Sequence, residues 1–126
     1  GHMREQRGAE WSSYGRDNVL TGQMVRAIVN GTRAALGEKL LSVVLYGSVA
    51  RGDNEPESDV DIALFVTDTL SREENKAIVH CFSKLCMEYD MVFSPMDIER
   101  GKFDEWKNIS PYYLNIQKEG IVLWAA

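Results

Sequence analysis

The run Val60 to Val66 carries no charged residue after Asp61. A strand with one wet face alternates apolar and polar residues. A strand that is apolar almost throughout needs cover on both faces and belongs at the centre of a sheet. A second run, Leu41 to Tyr46, is short, partly β-branched and ends at Gly47, so it also reads as a strand. Between the two come Gly47-Ser48, one or two helical turns from Ser48 to Gly52, and a polar loop from Asp53 to Ser58.

The rest of the chain supplies helices to cover that sheet. Leu20, Met24 and Ile28 recur every fourth residue with Val25 and Val29 beside them, which predicts a helix over Asp17–Leu36, stopped by Gly37. Gly31 interrupts that pattern near its end. Residues 4–16 are polar and read as frayed or loosely docked. Ser71 with Glu74 three residues on is a capping-box pair, and it opens a helix to Tyr89 with Ile78, Phe82 and Leu85 on its apolar face. Met91 to Phe93 reads as a third strand, preceded by Asp90 and closed by Ser94-Pro95. A helix is expected over Asp97–Ile109, carrying Phe103 and Trp106, with a shorter one from Pro111 to near Glu119. Gly120 then leads into a last strand, Ile121–Trp124. Helices and strands alternate in one α/β unit.

With 126 residues, the expectation is one domain over residues 4–126. Gly1-His2-Met3 reads as a cloning remnant, with Met3 as the native start. The net charge of −5, 14 basic against 19 acidic residues, argues against a chain that binds nucleic acid directly, because that needs clustered Lys and Arg. No apolar stretch approaches bilayer length and no signal peptide is visible, so no membrane association is expected. Cys81 and Cys86 match no zinc spacing; they read as reduced thiols of a cytoplasmic protein. His80 reads as a surface or packing residue. Trp106, Tyr112 and Tyr113 read as packing, with a partner or adenine contact as the sharper alternative.

The chemistry gathers around Asp59 and Asp61. Side chains two apart on a strand share a face, so these carboxylates repel each other unless water or a cation intervenes. Magnesium takes one or two carboxylates and completes its shell with water and phosphate oxygens. Gly47 lets a ligand approach the backbone, and Ser48 brings a hydroxyl and free N–H groups suited to phosphate. Asp90 is placed to bring a third carboxylate if the third strand lies beside the second. Three such groups hold two metal ions in phosphoryl- or nucleotidyl-transfer sites. Arg51 reads equally as a phosphate contact or a solvated charge among the acids of the following loop.

Gly47-Ser48, ten residues, then Asp59-Val60-Asp61 resembles the signature of the DNA polymerase β-like nucleotidyltransferase superfamily. "GSVARG" followed by "SDVDIAL", and the ending "SPYYLNIQKEGIVLW", resemble its minimal nucleotidyltransferase branch. The resemblance spans roughly Thr21 to Trp124. It implies an α/β fold with a small mixed sheet flanked by helices. It also implies Asp59, Asp61 and Asp90 as ligands of two Mg2+ ions, and Gly47 and Ser48 as triphosphate contacts, with Arg51 as the nucleotide-binding cation only on the first of its two readings. ATP would be the substrate. The partner it implies is a HEPN-domain ribonuclease toxin, which the chain would neutralise in a complex by moving AMP onto a toxin tyrosine. Two other functions fit: an antitoxin that only masks its toxin, and a transferase for small hydroxylated compounds of the aminoglycoside type.

Overall fold

The structure, a computed structural model, describes residues 20–52 and 59–126. The expectations for residues 1–19 and for the loop 53–58 lie outside the described residues. Four strands form one sheet: β1 (Leu40–Tyr46), β2 (Val60–Val66), β3 (Phe93–Glu99) and β4 (Ile121–Ala125), in the order β3-β2-β1-β4. β1 runs antiparallel to β2 and to β4, while β2 and β3 are parallel. The sheet is therefore mixed, as the sequence suggested.

Helix α1 (Gly22–Leu36) and helix α3 (Arg72–Tyr89) cover one face of the sheet. Ile62, Leu64 and Val66 of β2 point into this layer and meet Ile28, Ile78 and Phe82. The opposite face is covered by α4 (Arg100–Trp106) and α5 (Pro111–Glu119), where Val44, Tyr46 and Ala63 pack with Ile98, Ile116 and Phe103. β2 is thus buried on both faces, which explains its unbroken apolar run. Each fully buried aliphatic side chain there contributes about 1.5–3 kcal/mol.

Local chemistry explains most element ends. The Thr21 hydroxyl caps α1 by accepting from the Met24 N–H at 3.2 Å. α1 accordingly begins at Gly22; Leu20 and Thr21, expected to be helical, precede it, and Leu20 is buried in the core. Gly31 is compatible with the helix because it lets α3 lie close: a Cβ there would stand 2.6 Å from the Cys81 sulfur. At α3 the capping box is complete, with Ser71 and Glu74 bonding each other's backbone N–H groups at 3.1 and 2.7 Å. Pro111 opens α5, where its missing N–H is harmless.

The third strand and the helix after it differ from expectation. β3 is seven residues long and contains Ser94, Pro95, Asp97 and Ile98, whereas the strand was expected to stop at Phe93 and Asp97 to begin a helix. The reason is tertiary. β3 is an edge strand, where proline needs no partner for its absent N–H, and parallel pairing with β2 continues from Val60↔Phe93 to Val66↔Glu99. α4 is correspondingly shorter, and Ile109 falls in the turn before α5. Among the described residues no helix is long and apolar enough to cross a membrane.

Candidate active site

Antiparallel pairing brings the end of β1 to the start of β2, with Tyr46 opposite Asp61. Parallel pairing brings the start of β3 to the same edge, with Ser94 beside Asp61. The chain leaves β1 through Gly47, whose backbone (φ 82°, ψ −161°) lies in a region that side chains exclude. There is a second reason for glycine here. A Cβ on Gly47 would overlap Oδ2 of Asp61 and lie 3.3 Å from its Cγ. The turn is pressed against the carboxylate.

Ser48 then begins the single helical turn α2 (Ser48–Arg51), closed by Gly52 in left-handed backbone. The first N–H groups of so short a helix have no carbonyl partner within it. They lie one residue from the point where Gly47 meets Asp61.

Asp59, immediately before β2, is exposed; its Oδ2 accepts from the Ser94 hydroxyl at 3.1 Å. Asp61 is half-buried. Burial pushes its carboxyl above the usual range, the Asp59 charge adds to this, and Arg51 opposes it. The penalty on charging Asp61 is what a divalent cation relieves, and both carboxylates offer the hard oxygens magnesium prefers. Asp59 and Asp61 therefore fit a metal.

Asp90 does not join them. Although β3 neighbours β2 as expected, Asp90 is not part of β3. It is the exposed C-terminal cap of α3, in left-handed backbone at φ 52° and ψ 48°. Among the described residues no three His, Cys, Asp or Glu side chains are gathered to hold a metal ion. The strand position beside Asp61 belongs to Ser94, which the sequence reading passed over as the close of a strand.

Arg51 is brought to this edge, and its guanidinium bonds Glu119 of α5 at 2.7 Å, tying α2 to the second helical layer. One further residue was missed, Tyr46, and it meets Tyr112, which was read as packing or as a partner or adenine contact. The Tyr46 and Tyr112 hydroxyls are 3.3 Å apart, and their rings meet at 5.9 Å between centroids. Burial pushes the Tyr46 hydroxyl strongly up, and Tyr112 and the Asp61 charge add to the shift. The one available signal was that Tyr46 directly precedes Gly47, which places it on the face of Asp61. Tyr113 packs on Phe103, as a packing residue should, whereas Trp106 is 49% exposed. Both cysteines are free, and Cys86 accepts from the Phe93 N–H at 3.4 Å. His80 is exposed on α3.

Residues 34–124 match the family described as Polymerase beta, Nucleotidyltransferase. The chain belongs to that nucleotidyltransferase family. A relative from Methanocaldococcus jannaschii, named as a candidate protein adenylyltransferase, is 32% identical over 90 residues, 68% of this nucleotidyltransferase and 91% of the relative. A toxin–antitoxin crystal structure with AMP-PNP has a chain 24% identical to it, with a TM-score of 0.56, covering 81% of this chain and 73% of that one. A complex of the tri-AMPylated Shewanella oneidensis HEPN toxin with its MNT antitoxin matches at 23% identity and a TM-score of 0.54, over 82% of this chain and 71% of that one. These two structures are likenesses of fold. They agree with the mixed sheet and its helical layers.

Proposed function

We propose that this nucleotidyltransferase is a cytoplasmic, magnesium-dependent antitoxin that transfers AMP from ATP to a tyrosine hydroxyl of a HEPN-domain ribonuclease toxin. The observation that carries the reading is Asp61 packed against a turn only glycine can make, with Asp59 two residues away at the same sheet edge. The kinship with a protein named for adenylyl transfer to proteins points to AMP as the group and protein as the acceptor. The neighbouring toxin–antitoxin structures suggest which protein.

Each residue has a task in that reaction. Asp59 and Asp61 hold the divalent cations, Ser94 fixing the orientation of Asp59. Magnesium supplies charge neutralisation at the phosphoryl oxygens and at the departing pyrophosphate. Gly47 admits the triphosphate to the backbone, and the Ser48 hydroxyl and first-turn N–H groups of α2 bind it. Arg51 adds a cation to a site that is otherwise acidic. The acceptor hydroxyl attacks the α-phosphorus and releases its proton to solvent, the bond to the bridging oxygen breaks, and pyrophosphate leaves with the electron pair. Asp90 stands outside the set proposed here.

Co-expression with the HEPN toxin tests the reading. Wild type is expected to restore growth and to leave AMP on a toxin tyrosine. If the Asp59→Asn, Asp61→Asn double variant rescues growth equally well at equal expression, transfer is irrelevant and masking is the mechanism.

A further inference from the structure

Tyr112 is the second residue of α5 and is 52% exposed, yet its hydroxyl is held in place. It meets the Tyr46 hydroxyl at 3.3 Å, and Tyr46 sits opposite Asp61 in the β1–β2 register. Tyr46, Ala63 and the layer carrying α5 share one face of the sheet, the face to which Asp61 also belongs by alternation. The Tyr112 phenol is therefore one hydroxyl contact removed from the residue that pairs with Asp61. Tyr113 is the contrasting neighbour: its ring is committed to Phe103, 5.2 Å between centroids.

We propose that Tyr112 is a self-acceptor: without a partner protein, the enzyme transfers AMP from ATP to its own Tyr112. This rests on the proposed function and adds a modification site to it. The Tyr112 oxygen forms a bond to the α-phosphorus as the bond from that phosphorus to the α–β bridging oxygen breaks. Pyrophosphate leaves with the electron pair, and the phenolic proton passes to solvent at the open edge beside the exposed Asp59. The product is a phosphodiester between tyrosine and the 5′ position of adenosine, with no oxidant or reductant involved. A bulky nucleotide on Tyr112 would separate it from Tyr46 and occupy the edge, so the modified enzyme is self-blocked.

The purified full chain is incubated with ATP and magnesium, followed by intact mass measurement and peptide sequencing by fragmentation. The expected result is a gain of one adenylyl group on the peptide carrying Tyr112, at a fractional rate independent of protein concentration. Tyr112→Phe, shown by circular dichroism to be folded, is expected to lose the label, and Tyr113→Phe to keep it. A second readout needs no turnover: nitration of Tyr112 by tetranitromethane should be slowed by a non-hydrolysable ATP analogue with magnesium. AMP found elsewhere in the chain, a rate proportional to enzyme concentration, or unchanged nitration overturns the assignment. If the wild-type sample modifies the HEPN toxin but never itself, this inference fails and the proposed function stands; if it modifies neither, the proposed function fails first.

Discussion

Asp61 carries opposed demands on a single side chain. It is half-buried and repelled by Asp59, so its ionised form is disfavoured in the folded chain. A carboxyl raised in the folded state binds its proton more readily there than in the unfolded state, so stability falls as pH rises through its folded pKa. Asp61→Asn is thus expected to melt higher than wild type in metal-free buffer near neutral pH, an advantage that disappears on acidification through that pKa. The same substitution should reduce transfer by on the order of a hundredfold or more, the scale of losing one positioned electrostatic group. Thermal melts with EDTA across pH, beside an ATP turnover assay, check both halves; wild-type turnover in the variant would defeat the metal-ligand role. Asp90 offers the contrasting case. Asparagine tolerates left-handed backbone almost as aspartate does, so Asp90→Asn should preserve both the α3 cap and most of the turnover. Loss of turnover in a folded Asp90→Asn protein would return Asp90 to the catalytic set.

Helix α3 is where local sequence and tertiary structure reinforce each other. Its capping box was legible from Ser71 and Glu74 alone. What the tertiary structure adds is Lys39, after α1, whose ammonium meets Glu74 at 2.7 Å and the Thr69 carbonyl at 3.1 Å. The bond from Lys39, followed by those from Ser71, holds the Glu74 carboxyl below its ordinary range. With the folded pKa below the unfolded one, this contribution is complete above the ordinary glutamate range and is lost as pH falls through it. Glu74→Gln should therefore lower stability at neutral pH, where the contribution is complete, and converge with wild type in acid, which flattens the acid limb of the stability profile. Urea melts of the two proteins from neutral pH down to the acid limb measure it; parallel acid limbs would show that Glu74 is not the group responsible. β3 shows the reverse relation. Its sequence contains a proline and an exposed aspartate and looks like a break, and only seven registered partners on β2 make it a strand.

For the whole molecule, the acidic balance decides how nucleotide is taken up. The chain has a net charge of −5, and the candidate site contributes two carboxylates to it. A triphosphate approaching that edge is repelled unless divalent cations accompany it. Titration calorimetry with a non-hydrolysable ATP analogue is expected to show binding that depends on magnesium and weakens in Ser48→Ala. Equal affinity with and without magnesium would contradict the site. The Arg51–Glu119 pair bears on the same question, because it links the turn that begins at Ser48 to the layer that carries Tyr112.

The resemblance carried by Gly47-Ser48 and Asp59-Val60-Asp61 was enough to read the family, and the unbroken apolar run of β2 the class of fold. They are local facts: face alternation along one strand and the special backbone of one glycine need no knowledge of distant residues. The length of β3, the removal of Asp90 from the acidic pair, the place of Ser94 against Asp59, and the meeting of Tyr46 with Tyr112 were decided only by the tertiary structure. Each depends on register between strands, or on a helix folding back across the sheet over separations as long as 66 residues. Pairing of that kind is fixed by the burial of whole faces against one another, and no short window of sequence contains it.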